Sequence, residues 1–223
     1  MIGEFRAETR SFAKVSQRVL IMDLQYTIGL DLGRTRNHTA LVVMERTWQA
    51  ATPAEFIASG TQGYSGEFRH TVVGADRLAL GTPYTRVTGW VKGIVEELGA
   101  SRMGEIVVDA SGLGSVVMDH LRAARMGASL LGVVITGEQA SGLSGAGHTS
   151  AGYVTVSRTE LLTKLQVAVQ ERKFRIDRAR CREWEALRRE LATVRIEGGG
   201  SKGGKRQDDL ALALALAIWR GLR

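Results

Sequence analysis

Cysteine is almost absent from this chain of 223 residues, which contains only Cys181. A single cysteine excludes an internal disulfide, so we expect a reducing, cytoplasmic setting. Long hydrophobic runs are missing as well, and the sequence therefore predicts no membrane span. The N-terminal stretch before Leu20 also lacks the apolar centre of a secretory signal.

The composition is ordinary for a globular protein, with 44% hydrophobic and 24% charged residues. The length predicts one domain, and we expect residues 1–25 to be an extension or linker and residues 26–223 to form that domain. The formal net charge is +7 and the sequence pI is about 10.0. A basic chain favours a polyanionic partner, and nucleic acid is the partner that we expect.

The stretch from Tyr26 to Glu45 contains the first feature that points to chemistry. Two apolar runs, Thr27–Leu32 and Thr39–Met44, flank a polar turn, which predicts a β-hairpin. Asp31 lies in the first run, where burial of its carboxylate is costly unless a cation or hydrogen-bond donors compensate it. The alternative is that Asp31 only begins the turn, a common position for Asp.

A second acid ends another predicted strand. After a strand near 70–80 and a helix that ends at Gly99, strands and helices alternate, which favours parallel pairing. The strand Glu105–Asp109 closes on an acid before a glycine-rich turn, at the sheet edge where α/β proteins bind ligands. Asp109 could instead cap its own turn. We thus expect an α/β fold, an antiparallel three-strand meander followed by parallel strands, flanked by helices.

The C-terminal region carries an acidic pair. The segment DDLALALALAIWRGL predicts a helix, because Ala and Leu are the strongest helix formers. Asp208 and Asp209 at its start have a structural interpretation, as an N-cap and a first-turn acid. The preceding loop resembles a P-loop at Gly199, Gly204 and Lys205. Arg206 replaces the Ser or Thr that would hold Mg²⁺, however, so we exclude a nucleotide site there.

Four segments, in this order along the chain, resemble the nuclease domain of phage large terminases. They are IGLDLGRTRNHTALVVME, IVVDASGLGS, VSRTELLTKLQVAVQERKFRI and RQDDLALALALAIW. The resemblance runs from Tyr26 to Trp219. It implies an RNase H-like (RuvC-type) fold and an endonuclease that cuts concatemeric viral DNA during genome packaging, in the host cell cytoplasm.

By this resemblance, the acids Asp31, Asp109, Asp208 and Asp209 correspond to the metal-binding, catalytic residues of the family. Two Mg²⁺ or Mn²⁺ ions are the expected cofactors, because these ions prefer oxygen ligands and a metal pair suits phosphodiester hydrolysis. Double-stranded DNA is the expected substrate. The expected contacts to its backbone are Arg158, Lys202, Lys205 and Arg206.

Two departures from the family stand out. Gln207 occupies a position where many members carry His, and no Walker A motif marks the packaging ATPase. An ATPase domain, a portal or a small terminase subunit are accordingly possible partners of this chain, with no membrane involved.

Three alternatives remain open at the level of sequence. A RuvC-type Holliday-junction resolvase would share the fold and the acids. An actin-like ATPase shares the first hairpin but needs a second domain of the same kind, for which 223 residues leave no room. A DNA-binding module without activity would explain the charge but not four acids at the ends of strands and helices.

Overall fold

The computed structural model of the chain describes residues 21–33, 37–50, 66–112, 114–137, 147–149, 152–194 and 208–222. Eight strands lie in this part of the chain: β1 (Ile21–Asp31), β2 (Ala40–Ala50), β3 (Gly66–Arg77), β4 (Met103–Asp109), β5 (Ser129–Thr136), β6 (Gly147–Thr149), β7 (Tyr153–Ser157) and β8 (Arg175–Ile176). It also contains five α-helices: α1 (Tyr84–Leu98), α2 (Gly114–Ala123), α3 (Arg158–Gln170), α4 (Trp184–Thr193) and α5 (Asp209–Gly221).

The strands form one mixed sheet in the order β6-β7-β5-β4-β1-β2-β3-β8. Strands β1, β2 and β3 make the antiparallel meander, and β4, β5 and β7 add to β1 in parallel. The predicted fold class is therefore confirmed. The sequence predicts a third strand near 70–80. The corresponding strand in the structure, β3, spans Gly66–Arg77, so it begins and ends earlier than expected.

The chain divides into two compact units, residues 1–24 with 46–69 and residues 25–45 with 70–223. The smaller unit contains the outer ends of β1, β2 and β3. Because β1 begins at Ile21, regular structure starts within the predicted extension 1–25. The domain boundary at residue 26 stays a prediction. All residues discussed below belong to the larger unit.

The register of the parallel strands brings several of their carboxyl ends to one edge. Leu30 of β1 lies opposite Val108 of β4, so Asp31 and Asp109 follow at the same level. Asp109 in turn lies opposite Val133 of β5. Further along, β5 and β7 end together, with Thr136 opposite Ser157. This edge is where open α/β sheets present their ligand sites.

Helix α5 packs directly onto the sheet. Every residue from Asp209 to Trp219 is buried, which explains the alternating Leu and Ala residues in a segment that forms a helix. A side chain on Gly29 of β1 would have its Cβ only 1.9 Å from the carbonyl oxygen of Ala213, so glycine permits this close approach. Each fully buried leucine of α5 contributes about 1.5–3 kcal/mol. The packing fixes α5 against the strand that carries Asp31.

Helix α3 begins immediately after β7, at the same edge of the sheet. The hydroxyl of Ser157 accepts a hydrogen bond from the backbone N–H of Glu160, at 3.0 Å, which is the N-terminal signal expected from the sequence. Arg158 is therefore the first residue of α3. None of the helices in the described ranges is long and apolar enough to cross a membrane.

Candidate active site

Asp31 is the last residue of β1, and only 7% of it is exposed. Burial raises the pKa of this carboxyl well above its ordinary value, and the negative charges of Asp109, Asp209 and Asp208 raise it further. The guanidinium of Arg158 opposes this shift. Within the described residues, no hydrogen-bond donor contacts the carboxylate. Asp31 is thus a buried acid among like charges, and residues 34–36 of the turn that follows it lie outside the described residues.

Asp109 ends β4 and faces the turn that follows. Its Oδ1 accepts a hydrogen bond from the backbone N–H of Ser111, at 2.8 Å, so the turn-capping interpretation of Asp109 describes a real contact. The Ser111 hydroxyl accepts a further bond from the N–H of Ile135, at 2.9 Å, which ties the turn to β5. The negative charge of Asp109 nevertheless raises the pKa of Asp31. Asp109 therefore both caps its own turn and contributes to the cluster of acids.

Asp208 and Asp209 have different surroundings, although they are consecutive. Asp208 stands at the N-cap position of α5, where its carbonyl accepts the N–H of Leu212, but its side chain makes no capping bond. That side chain instead pairs with the guanidinium of Arg158. Asp209 is 2% exposed, and its Oδ2 accepts the backbone N–H of His38 at 3.1 Å. The simple capping interpretation of Asp208 is therefore wrong for its side chain.

Of the four basic residues expected to contact DNA, the structure describes Arg158. Its side chain is 39% exposed and lies beside the acids, since it pairs with Asp208 and lowers the pKa of Asp31. Lys202, Lys205 and Arg206 lie outside the described residues, and so does Gln207.

The chemistry of these side chains suits a hard divalent cation, because carboxylate oxygens are the ligands that Mg²⁺ and Mn²⁺ prefer. Asp31 in particular is a buried carboxyl group whose charged form a cation would compensate. Across the described ranges, however, no three or more His, Cys, Asp or Glu side chains are already grouped so that they could hold a metal ion. Three of the four carboxylates each accept a hydrogen bond from a separate donor, and each keeps further lone pairs that a metal ion could use.

Sequence reasoning missed two residues that support the site. The ring Nδ1 of His38 hydrogen-bonds the carbonyl oxygen of Leu78 at 2.9 Å, while the backbone N–H of His38 holds Asp209. Glu190 of α4 is buried, and its Oε2 accepts the backbone N–H of Ala211 at 3.0 Å. A signal for Glu190 did exist, because it follows the buried Leu187 by three positions on one helix face.

Comparison with known proteins bears on the fold. No protein-family model and no curated protein sequence matches this chain. Solved structures do match it, and nuclease domains of large terminases are among them. The arrangement of sheet and helices is thus the RNase H-like fold of that class.

Three of these structures illustrate the match. The nuclease domain of the large terminase subunit gp2 of bacterial virus Sf6, a mutant solved with manganese and β-thujaplicinol, has a TM-score of 0.56 and 14% identity, with 87% of each chain covered. The manganese-soaked human cytomegalovirus terminase nuclease domain has a TM-score of 0.52 and 11% identity, covering 88% of this chain and 83% of the other. The large terminase nuclease of thermophilic phage G20c has a TM-score of 0.50 and 17% identity, covering 89% and 83%.

At these identities the similarity establishes the fold. The resemblance to large terminase nuclease domains that the sequence segments indicate is confirmed at that level.

Proposed function

We propose that the chain is a divalent-metal-dependent endonuclease that cleaves duplex DNA with little sequence preference, as the nuclease part of a genome-packaging terminase. The observation that carries this proposal is Asp31, a buried carboxylate with three acidic neighbours and no donor within the described residues. Its position at the carboxyl edge of a terminase-like fold supports the proposal. So does manganese in two of the similar structures.

Four acids would hold the metal ions. Asp31 would be shared between the ions, and Asp109, Asp208 and Asp209 would supply further carboxylate ligands. When bound, two such ions activate a water molecule and stabilise the charge on the attacking and leaving oxygens of a phosphodiester. Mg²⁺ and Mn²⁺ are both suitable, since each takes carboxylate oxygens as ligands.

The remaining groups of the chain orient the acids and the substrate. The N–H of His38 holds the Asp209 carboxylate in place, and the turn of Ser111 holds that of Asp109. Arg158 offsets part of the negative charge around Asp31. Because its guanidinium is partly exposed at the site, it can also bind a backbone phosphate.

Little sequence preference follows from the kind of contact involved. Arg158, Lys202, Lys205 and Arg206 would bind phosphate groups, which position a protein on DNA without reading its bases. The net charge of +7 favours such contacts in general.

Incubation of the protein with supercoiled plasmid tests this function directly. We expect nicked and then linear DNA with Mn²⁺ or Mg²⁺, and intact plasmid with EDTA. A synthetic four-way junction in a parallel reaction distinguishes a resolvase, which would cut the junction far faster than linear duplex. Plasmid that stays intact in Mn²⁺ over a wide range of protein concentrations contradicts the proposal.

A binding experiment examines the phosphate contacts separately from catalysis. With EDTA present, affinity for duplex DNA should fall about 10³-fold or more between 50 and 200 mM salt if six or more phosphates are contacted. The measurement is a fluorescence anisotropy titration at both salt concentrations. Equal affinities at the two concentrations would exclude a surface that follows the phosphate backbone.

A further inference from the structure

Glu190 of α4 is a buried carboxylate with both oxygens engaged. Its Oε1 accepts a hydrogen bond from Nη1 of Arg77 at 3.1 Å, and its Oε2 accepts the backbone N–H of Ala211 at 3.0 Å. Arg77 is itself fixed, because its Nη2 binds Oε2 of Glu183 at 3.0 Å. The end of β3 is thereby connected to α4 and to the first turn of α5.

Ala211 is the third residue of α5, and its N–H is one of those that a helix leaves without an internal acceptor. In most helices the side chain of the N-cap residue accepts the N–H of the second or third residue. Here the N-cap residue Asp208 makes no such bond, and its carboxylate pairs with Arg158. Glu190 supplies the missing acceptor from a different helix.

A second connection runs from the same end of β3 to Asp209. Leu78 follows Arg77 in sequence, and its carbonyl oxygen forms a hydrogen bond with the ring Nδ1 of His38. The backbone N–H of His38 in turn donates a hydrogen bond to the carboxylate of Asp209. The side chain of Asp209 is therefore connected to Leu78 through His38, and the backbone N–H of Ala211 is connected to Arg77 through Glu190. These contacts close a ring around the start of α5.

From this ring we infer that Glu190, held by Arg77, is a positioning residue for the metal site: it caps α5 in place of the Asp208 side chain and so fixes the start of the helix that carries Asp208 and Asp209. The inference rests on the function proposed above. Groups that orient metal ligands without touching the metal typically change its affinity about 10–100-fold when they are removed.

Mn²⁺ binding by the full chain, measured through the electron paramagnetic resonance signal of the free ion, tests this inference without relying on cleavage. We expect Glu190→Ala to weaken Mn²⁺ binding about 10–100-fold. Glu190→Gln keeps an oxygen that can accept the Ala211 N–H, and it should bind Mn²⁺ almost as tightly as the wild type. Glu190→Asp keeps the charge but loses the reach to Ala211, so it should behave like the alanine variant.

Leu187→Val is the matched control, because it disturbs the same buried face of α4 one turn earlier without touching α5's N–H groups. It should lower the melting temperature and leave Mn²⁺ affinity unchanged. Should Glu190→Ala fail to fold, the contrast between the Asp and Gln variants decides the matter. Wild-type affinity in the Asp variant, or equal weakening by Leu187→Val, overturns the inference. A wild-type protein that binds no Mn²⁺ contradicts the proposed function itself.

Discussion

Two carboxylates of this protein are almost equally buried, yet their surroundings are opposite. Glu190 is 5% exposed and meets a guanidinium and a backbone N–H. Asp31 is 7% exposed and meets the charges of three other acids. Burial raises the pKa of both groups, but hydrogen bonds and Arg77 counteract the shift at Glu190, while Asp109 and its neighbours increase it at Asp31.

The difference shows what burial of a charge can be used for. A buried carboxylate with donors on both oxygens holds structural elements together, as Glu190 does between α4 and α5. A buried carboxylate without donors costs stability until a cation arrives. The same residue chemistry therefore supports the fold at Glu190 and, under the proposed function, binds a metal ion at Asp31. The predictions below test that contrast.

Replacement of Asp31 should have the largest effect. We expect Asp31→Asn to reduce DNA cleavage by about three powers of ten or more, because a neutral amide is a much weaker ligand for ions that supply several kcal/mol of charge stabilisation. Plasmid nicking with Mn²⁺ measures the loss. Glu190→Gln is the control, and it should retain most of the activity. Normal cleavage by Asp31→Asn would remove the basis of the metal site.

Asp209 and Asp208 should differ in a smaller but measurable way. Asp209 is buried and held by His38, whereas Asp208 is paired with the partly exposed Arg158. We expect Asp209→Asn to reduce cleavage about tenfold more than Asp208→Asn, a difference of about 1.4 kcal/mol in the activation free energy. Side-by-side nicking rates at saturating Mn²⁺ provide the comparison. If the order is reversed, Asp208 is the more direct ligand.

Glu190→Ala should lower stability, because it removes both hydrogen bonds and leaves the N–H of Ala211 without an acceptor. We expect a loss of about 1–3 kcal/mol in the free energy of unfolding. Urea denaturation of the metal-free protein, followed by circular dichroism, gives this number. A variant as stable as the wild type would mean that the contact with α5 contributes nothing to the fold.

Asp31→Asn should have the opposite effect on the fold, and the smallest one. Its melting temperature in EDTA should equal or exceed that of the wild type, because the substitution removes a charge held among like charges. The contrast with Glu190→Ala can be read from two melting curves recorded side by side. A clear decrease for Asp31→Asn would place Asp31 among the structural acids.

The pH dependence of this effect follows from the direction of the pKa shift. Since the folded protein raises the pKa of Asp31 above its ordinary value of 3.8, the folded state holds this proton more tightly than the unfolded state. The contribution of Asp31 to the stability of the wild type therefore falls as pH rises from 3.8 towards the folded pKa of Asp31. Any gain in the stability of Asp31→Asn over the wild type should be present at pH values above the folded pKa of Asp31 and should disappear below pH 3.8.

Much of the fold could be predicted because it is encoded locally. The runs around Asp31 and Asp109 have strand character and end in turn residues, and the serine-glutamate capping pattern fixes the start of α3. The alternating Leu and Ala of α5 resemble a strand, but their helix propensity decides the outcome. The pairing of β3 with the two-residue strand β8 could not be foreseen, since it depends on contacts distant in sequence.

The acids of the site were predictable from their positions at element ends, but their partners were not. Nothing near Asp208 in sequence indicates that Arg158, fifty positions earlier, pairs with it. Glu190 shares a helix face with Leu187, but nothing near it in sequence indicates that it accepts the N–H of Ala211. His38 contacts Asp209 through its backbone N–H, which every residue except proline possesses, so its side chain gives no signal for that contact.

The melting temperature as a function of Mn²⁺ concentration, in the wild type and in Asp31→Asn, tests the central claim most directly. A ligand that binds only the folded state raises stability with its concentration. We predict that the wild type starts at or below the variant in EDTA and rises steadily as Mn²⁺ is added, while Asp31→Asn stays nearly constant. Equal increases in both proteins would show that Asp31 is not a metal ligand, and would contradict this account.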